Sequence, residues 1–273
     1  FIAHMRRCGW LHPNELAQCF PRNLQHLVVG GFRSTVFEWR KALARATQWS
    51  TPFNQTNRKY GLDIRLRLTH YFAQIIPETG YLTLMKESDN RAKTYLRAKS
   101  YYPYYGRGLI QLTHDYNYRP YGKFRGFPIT ETKPSKFAAI GWDPDSLLVE
   151  SNTAYNAFNC ADSAGYYTNK ASMLSTMDSG LGVTNSVAVS RGVNGNVSIE
   201  NINGLDARLQ GVLLVRDVLL DQVSESNLEL LEFDWRRNSN REPTGKLNKR
   251  GQPEMAYIKT SWRINVSLEK QRP

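Results

Sequence analysis

The sequence predicts a mainly α protein, on two positive observations and one contrast. Apolar residues recur at helical spacing in Asp63–Ile76 and again in Leu205–Val223. A two-residue alternation, the mark of a half-buried strand, occurs only near the C-terminus. In chain order, Leu11–Phe20 opens on His-Pro-Asn, so Asn14 is the expected cap of a short helix over Glu15, Leu16 and Ala17. Ser34–Gln48 follows, with Ser34 as cap and Val36, Phe37, Leu43 and Ala44 at roughly helical spacing. Asp63–Ile76 has the broadest apolar face, Ile64, Leu66, Leu68, Tyr71, Phe72, Ile75 and Ile76. Pro77 then disfavours helical geometry in the residue before it and predicts the stop.

Gln111–Tyr118 reads as another amphipathic segment, and Arg119–Pro144, with its prolines and glycines, as a long irregular connection. Helix resumes over Thr153–Tyr167, and the last helix, Leu205–Val223, carries Leu209, Val212, Leu213, Val215, Val218, Leu219 and Leu220. Arg236–Gly251 is polar, basic and turn-rich, which predicts a flexible connection. Beyond it Ile258, Thr260, Trp262, Ile264, Val266 and Leu268 alternate with more polar residues, so a strand is expected within Tyr257–Lys270. No internal repeat is present. The expected organisation is one enzyme-sized domain over 1–223 and a basic C-terminal extension over 224–273.

Composition bounds the function. The 273 residues are 41% hydrophobic and 12% aromatic, enough for a substantial core, and no run approaches the roughly 18 apolar residues of a membrane span. A formal charge of +12 draws the surface toward polyanions: nucleic acid, lipid head groups or an anionic wall polymer. No basic zipper, zinc-finger spacing or RNA-recognition signature accompanies the basic residues, so specific nucleic-acid binding is not expected, and a basic surface kept for solubility is an equal alternative. Cys8, Cys19 and Cys160 are an odd set without CxxC spacing, which argues against a zinc site and for buried thiols, with one N-terminal bridge as the alternative. The chain opens Phe-Ile-Ala-His without a charged leader, the expected look of a module excised from a longer protein.

The chemistry is sought at Glu78 and Glu87. They stand nine residues apart, which on one unbroken helix would be about 900° of rotation and ~13.5 Å of rise, on opposite faces. Pro77 and Gly80 break that helix, so Glu78 can end it and Glu87 return across a cleft. Two such groups can protonate a leaving oxygen and activate water. Gly106 and Gly108 bracket Arg107, letting backbone approach a ligand while the guanidinium orients a carboxylate. Gln111, Thr113 and Asn117 offer amides and a hydroxyl, and Tyr101, Tyr102, Tyr104, Tyr105, Tyr116, Tyr118 and Tyr121 offer faces for sugar rings. The alternative is that the tyrosines pack and the glycines only turn the chain.

These residues resemble the family 19 glycoside hydrolases, the chitinases and related bacterial and phage lysozymes. The likeness rests on an ordered series: Phe72-Ala73-Gln74, Glu78-Thr79-Gly80, Glu87, Tyr105-Gly106-Arg107-Gly108, Ile110-Gln111-Leu112 and Tyr116-Asn117-Tyr118. Val193-Asn194-Gly195 and Asp206-Ala207-Arg208 extend it, Tyr60-Gly61 and Arg67 are like the bacterial members, and the whole covers roughly 53–220. Pro77 stands where the family often has His, and Leu109 where it has Pro; both alter local backbone rather than catalytic groups.

The resemblance implies a lysozyme-like, two-lobed helical domain with a central cleft. It makes Glu78 the general acid and Glu87 the general base, with Thr113 holding the attacking water; Glu131 and Glu150 are the other candidate carboxylates. Gln111, Asn117 and Asn194 would contact sugar or water, Arg107 and Arg208 would shape the carboxylate network, and Tyr105 would stand in the cleft wall. The implied mechanism is single displacement with inversion, needing no metal or other cofactor. Charge favours peptidoglycan, with its peptide carboxylates, over neutral chitin, so a muramidase is expected, a monomer delivered to a bacterial periplasm or cell wall as part of an effector or endolysin, with an immunity or inhibitor protein as a further partner. A chitinase, a lytic transglycosylase and a noncatalytic wall-binding module are the alternatives.

Overall fold

In the computed structural model, residues 9–28, 31–87, 95–127, 142, 144–147, 154–220 and 228–267 are described. Cys8, Glu131 and Glu150 lie outside them. The first helix, α1 (Pro13–Gln18), is capped by His12 rather than Asn14. The His12 imidazole accepts from the Asn14 amide at 3.2 Å, and Glu15 Oε2 accepts from the His12 amide at 3.1 Å, a reciprocal box with proline at the first helical position.

The expected helix from Ser34 begins five residues later. Gly31–Val36 is instead strand β2, paired antiparallel with β1 (Asn23–Val28), Ser34 opposite Gln25. Thr35 and Val36 are β-branched and suit a strand once a partner exists. That partner precedes them in sequence and escapes a local reading. Helix α2 (Trp39–Lys59) then runs through Pro52 and buries Ala42, Ala46, Trp49 and Phe53. Asn54, fully buried, grips the N-terminal segment with both ends of its amide, to Leu11 N at 2.9 Å and Leu11 O at 2.8 Å.

Helix α3 (Arg65–Glu78) is buried without interruption from Leu68 to Ile76, as befits the central helix of an α domain. Pro77 does not stop it; the helix closes on Glu78, and the reversal comes after. Helix α4 (Asp115–Arg125) also passes a proline, Pro120, and so replaces the first part of the expected irregular stretch; Gly126, at φ 69°, ends it. Pro120 has no N–H for the carbonyl of Tyr116, four residues back, and Lys170 Nζ donates to that carbonyl instead, at 3.3 Å.

The remaining helices are α5 (Ala154–Lys170), α6 (Met173–Asp178), α7 (Val183–Asn194) and α8 (Leu205–Leu220), with 3-10 turns at Pro144–Leu147 and Ile199–Asn201. α6 and α7 have short, weakly apolar sequences and were not anticipated. α3 packs along α8, and around this pair the core gathers Leu16, Phe20, Trp49, Phe53, Tyr71, Phe72, Ile75 and Val215. Cys19 and Cys160 are both buried in it.

The C-terminal segment is a long antiparallel hairpin, β3 (Leu228–Leu247) with β4 (Pro253–Ser267), Phe233 opposite Trp262. Most of the stretch expected to be a flexible connection is therefore strand, with register shifts between Arg236 and Arg241 and between Pro243 and Leu247. Ladder pairing with the alternating segment overrides its polar composition. β3 also approaches the turn at Ile199–Asn201. The fold is thus mainly helical and lysozyme-like, as expected, and no helix among the described residues is long and apolar enough to cross a membrane.

Candidate active site

Glu78 ends α3, and a tight reversal follows. Thr79, fully buried, donates its hydroxyl to Ile75 O at 2.6 Å and accepts from Leu82 N at 2.9 Å; its carbonyl receives Thr83 N and Leu84 N. Gly80, Tyr81 and Leu82 all have left-handed φ, 51°, 64° and 57°. The chain emerges antiparallel to the glycine loop, with Gly108 N bonded to Met85 O at 3.0 Å and Glu87 N to Gly106 O at 2.8 Å. Gln111 and His114 also carry positive φ, so four non-glycine residues in this conformation sit in the two loops framing one cleft. Such conformations persist only where the surroundings over-determine them, and they concentrate at functional sites.

The cleft has a volume of about 610 Å³, and Glu78, Glu87, Gln111, Thr113, Asn117 and Asn194 all line it. The two carboxylates are held differently. Glu78 Oε1 pairs with Arg208 Nη2 from α8. Arg208 is itself buried and fixed by Gln74 Oε1 at 2.5 Å and Asn203 O at 3.0 Å. Gln74 and Glu78 are four apart, on one face of α3, so a single guanidinium reads both. Glu87 instead accepts the Tyr101 hydroxyl on Oε1 at 2.8 Å and the Gly106 amide on Oε2 at 3.1 Å. Burial, and next the bond to Glu87, push the Tyr101 hydroxyl above its ordinary range, so it remains a donor.

Around them, Thr113 donates to Gln111 O at 2.7 Å. Gln111 Nε2 donates to Leu84 O and Gly108 O. Asn117 donates to Thr113 O at 2.9 Å and accepts from Lys170. Asn194 Oδ1 accepts from Asn203 N at 3.1 Å, and the carbonyl of the same Asn203 holds Arg208.

Two expected site residues stand behind the wall. Arg107 is buried and pairs with Asp145 at 2.9 Å, with neither glutamate. Its guanidinium lies 3.8 Å from the centre of the Tyr105 ring and also donates to Pro103 O, Tyr105 O and the Tyr118 hydroxyl. Tyr105 is buried beneath it rather than exposed to the cleft. Both hold the loop whose Gly106 amide meets Glu87.

The close approach that Gly108 permits is likewise to protein: a Cβ there would lie 2.8 Å from Ser163 Oγ and 3.1 Å from Cys160 O in α5. At Gly106 a Cβ would meet Gln111 Oε1 at 2.8 Å. Of the tyrosine row, Tyr104, Tyr118 and Tyr121 are core, while Tyr101 and Tyr116 line the cleft. Lys86, His114, Tyr167 and Asn203 line it too and had drawn no attention in the sequence. His114 stacks on Tyr116 with centroids 4.8 Å apart, a pairing visible only as two aromatics two residues apart.

The chain matches no protein-family model. It is similar to two plant endochitinases. One is an acidic endochitinase of Dioscorea japonica, 37% identical over 67 residues, and the other is endochitinase EP3 of Arabidopsis thaliana, 38% identical over 72 residues. These stretches amount to 22% and 24% of this chain and to 27% and 26% of the two relatives, so the chain spans about a quarter of the length of either. An endochitinase is a glycoside hydrolase, the chemistry that a pair of glutamates on one cleft supports.

Proposed function

We propose that this chain is a glycoside hydrolase of the family 19 type, cleaving the β-1,4 bond between N-acetylmuramic acid and N-acetylglucosamine in peptidoglycan with inversion. One observation carries the reading: Glu78 and Glu87 arrive on separate segments, face one cleft and are held by different donors. With Glu78 in the acid's role that the resemblance gives it, Arg208 takes Oε1 and leaves Oε2 to carry the proton to the leaving group. Glu87, oriented by a hydroxyl and an amide, takes the base's role and draws a proton from water. Thr113 and Asn117 line the same cleft, and Thr113 takes the role of holding that water that the resemblance implies. The charge of +12 favours an anionic wall over neutral chitin.

The test is clearing of purified peptidoglycan by Glu78→Gln and Glu87→Gln, each expected to lose activity by about a hundredfold or more. Undiminished clearing by both variants would sink the assignment. Mass analysis of the released fragments decides the bond and the mechanism, since a transglycosylase leaves anhydro ends. Chitinase is the second reading, favoured by the two endochitinase relatives; faster hydrolysis of chitooligosaccharide than of peptidoglycan would select it.

A further inference from the structure

His114 lies where the loop carrying Tyr101 meets the first turn of α4. Its amide donates to Tyr104 O at 2.8 Å, and Tyr104 N donates in turn to Tyr101 O at 2.7 Å. Its carbonyl accepts from Asn117 N and Tyr118 N, both at 3.1 Å, and so starts the helix. These bonds hold His114 at φ 72° and ψ 143°, a region that residues bearing a Cβ rarely adopt. Glycine would make the same backbone bonds there without strain, so the turn alone gives no reason for a side chain at this position.

The imidazole supplies one. It meets Tyr101 edge to face, with centroids 5.3 Å apart and planes at 74°, and stacks on Tyr116 at 4.8 Å and 13°, so it stands between two phenols that line the cleft with it. Both spacings fall where aromatic pairs attract. Tyr101 is the phenol that donates to Glu87 Oε1 at 2.8 Å. A phenol held through its oxygen can still pivot there; a second ring packed against it fixes its plane, and with it the direction in which the O–H meets the carboxylate. Histidine is enriched at positive φ over most residues with a Cβ, which suits it to present an aromatic ring from this backbone. We propose that His114 is a positioning residue for Glu87: its ring fixes Tyr101, and Tyr101 fixes the carboxylate. This rests on the reading of Glu78 and Glu87 as acid and base, and deepens it by tracing the support of the base one residue further.

The test is a double-mutant cycle in kcat on peptidoglycan, or on chitooligosaccharide if that is what the protein cleaves, since the contacts are to Glu87's support rather than to substrate. His114→Gly removes the ring and relaxes the backbone, so kcat should fall about fivefold while KM stays within about twofold and the melting temperature holds or rises. Tyr101→Phe alone should lower kcat about tenfold. Adding His114→Gly to it should lower kcat by less than about twofold more, because the hydroxyl through which the ring acts has gone. His114→Phe keeps a ring and should stay within about threefold of wild type. His114→Asn, which also tolerates positive φ and has no ring, should give the same coupling and serves the cycle if the glycine variant does not fold.

Losses that multiply in the double variant, wild-type kcat in both ring-deleted variants, or a His114→Phe as impaired as they are each overturns the assignment while leaving the role of Glu87 standing. Full activity in Glu87→Gln overturns the acid and base reading itself, and this inference with it.

Discussion

At the scale of single residues, the two glutamates differ in what holds them, and the difference predicts different sensitivities. Glu87 depends on one phenol and one amide, and only the phenol can be removed by substitution. Tyr101→Phe should lower kcat/KM on peptidoglycan by about tenfold, the size expected for losing one hydrogen bond to a charged group, with little change in thermal stability. Full activity in that variant would show that Gly106 alone orients Glu87. Glu78, by contrast, is tied through Arg208 to Gln74 and Asn203. Both glutamates were legible in the sequence because an ordered series of short motifs surrounds them. Lys86 and His114 were not, because nothing in a one-dimensional pattern says which side of a loop faces a cleft.

Among the elements, Asp162 on α5 is the busiest junction. Fully buried, it accepts Lys59 and Tyr60 at the C-terminal end of α2 on one oxygen and Tyr121 and Arg125 from α4 on the other, all within 3.1 Å. Asp162→Asn leaves two cations facing a neutral amide and should cost about 3–5 kcal/mol, read as a lower urea midpoint with unchanged slope. A midpoint within error of wild type would refute the junction's role.

His70 joins α3 to the loop before α7, its Nε2–H donating to Gly180 O at 2.9 Å, and burial lowers its pKa. A lowered folded value means the neutral form is favoured in the fold. The stabilisation is therefore complete above the unfolded value of about 6.5 and is lost as pH falls from there through the folded value. His70→Gln should flatten the stability curve between about pH 7 and 5; an unchanged slope there would assign it to other groups. These helices were foreseen where an apolar face ran for several turns. The prolines misled because Pro77 and Pro120 each leave the helix around them intact, in the second case with Lys170 taking the freed carbonyl.

Across the whole molecule, charge and shape act together. If the +12 surface gathers the protein onto an anionic wall, clearing of intact peptidoglycan should fall steeply between low salt and about 0.3 M, where the Debye length has shrunk to a few ångströms. Hydrolysis of a neutral chitooligosaccharide should change little over the same range. Parallel losses on both substrates would point to salt acting on the fold rather than on encounter.

The sequence by itself determined the helical class, the central helix α3, the last helix α8 and several of the residues that meet in the cleft, Glu78, Glu87, Gln111, Thr113, Asn117 and Asn194, because these follow from periodicity and from contiguous motifs. Only the tertiary structure decided the rest. The hairpin of β1 and β2 and the long ladder of β3 and β4 depend on pairing with a neighbouring segment, which the polar composition of β3 hides. Arg107 and Tyr105 are held behind the wall by Asp145 and Tyr118, and Arg208 is brought onto Glu78 from 130 residues away by the packing of α8 along α3. A side chain's chemistry is local, but its partner is chosen by which buried faces must pack together to leave water.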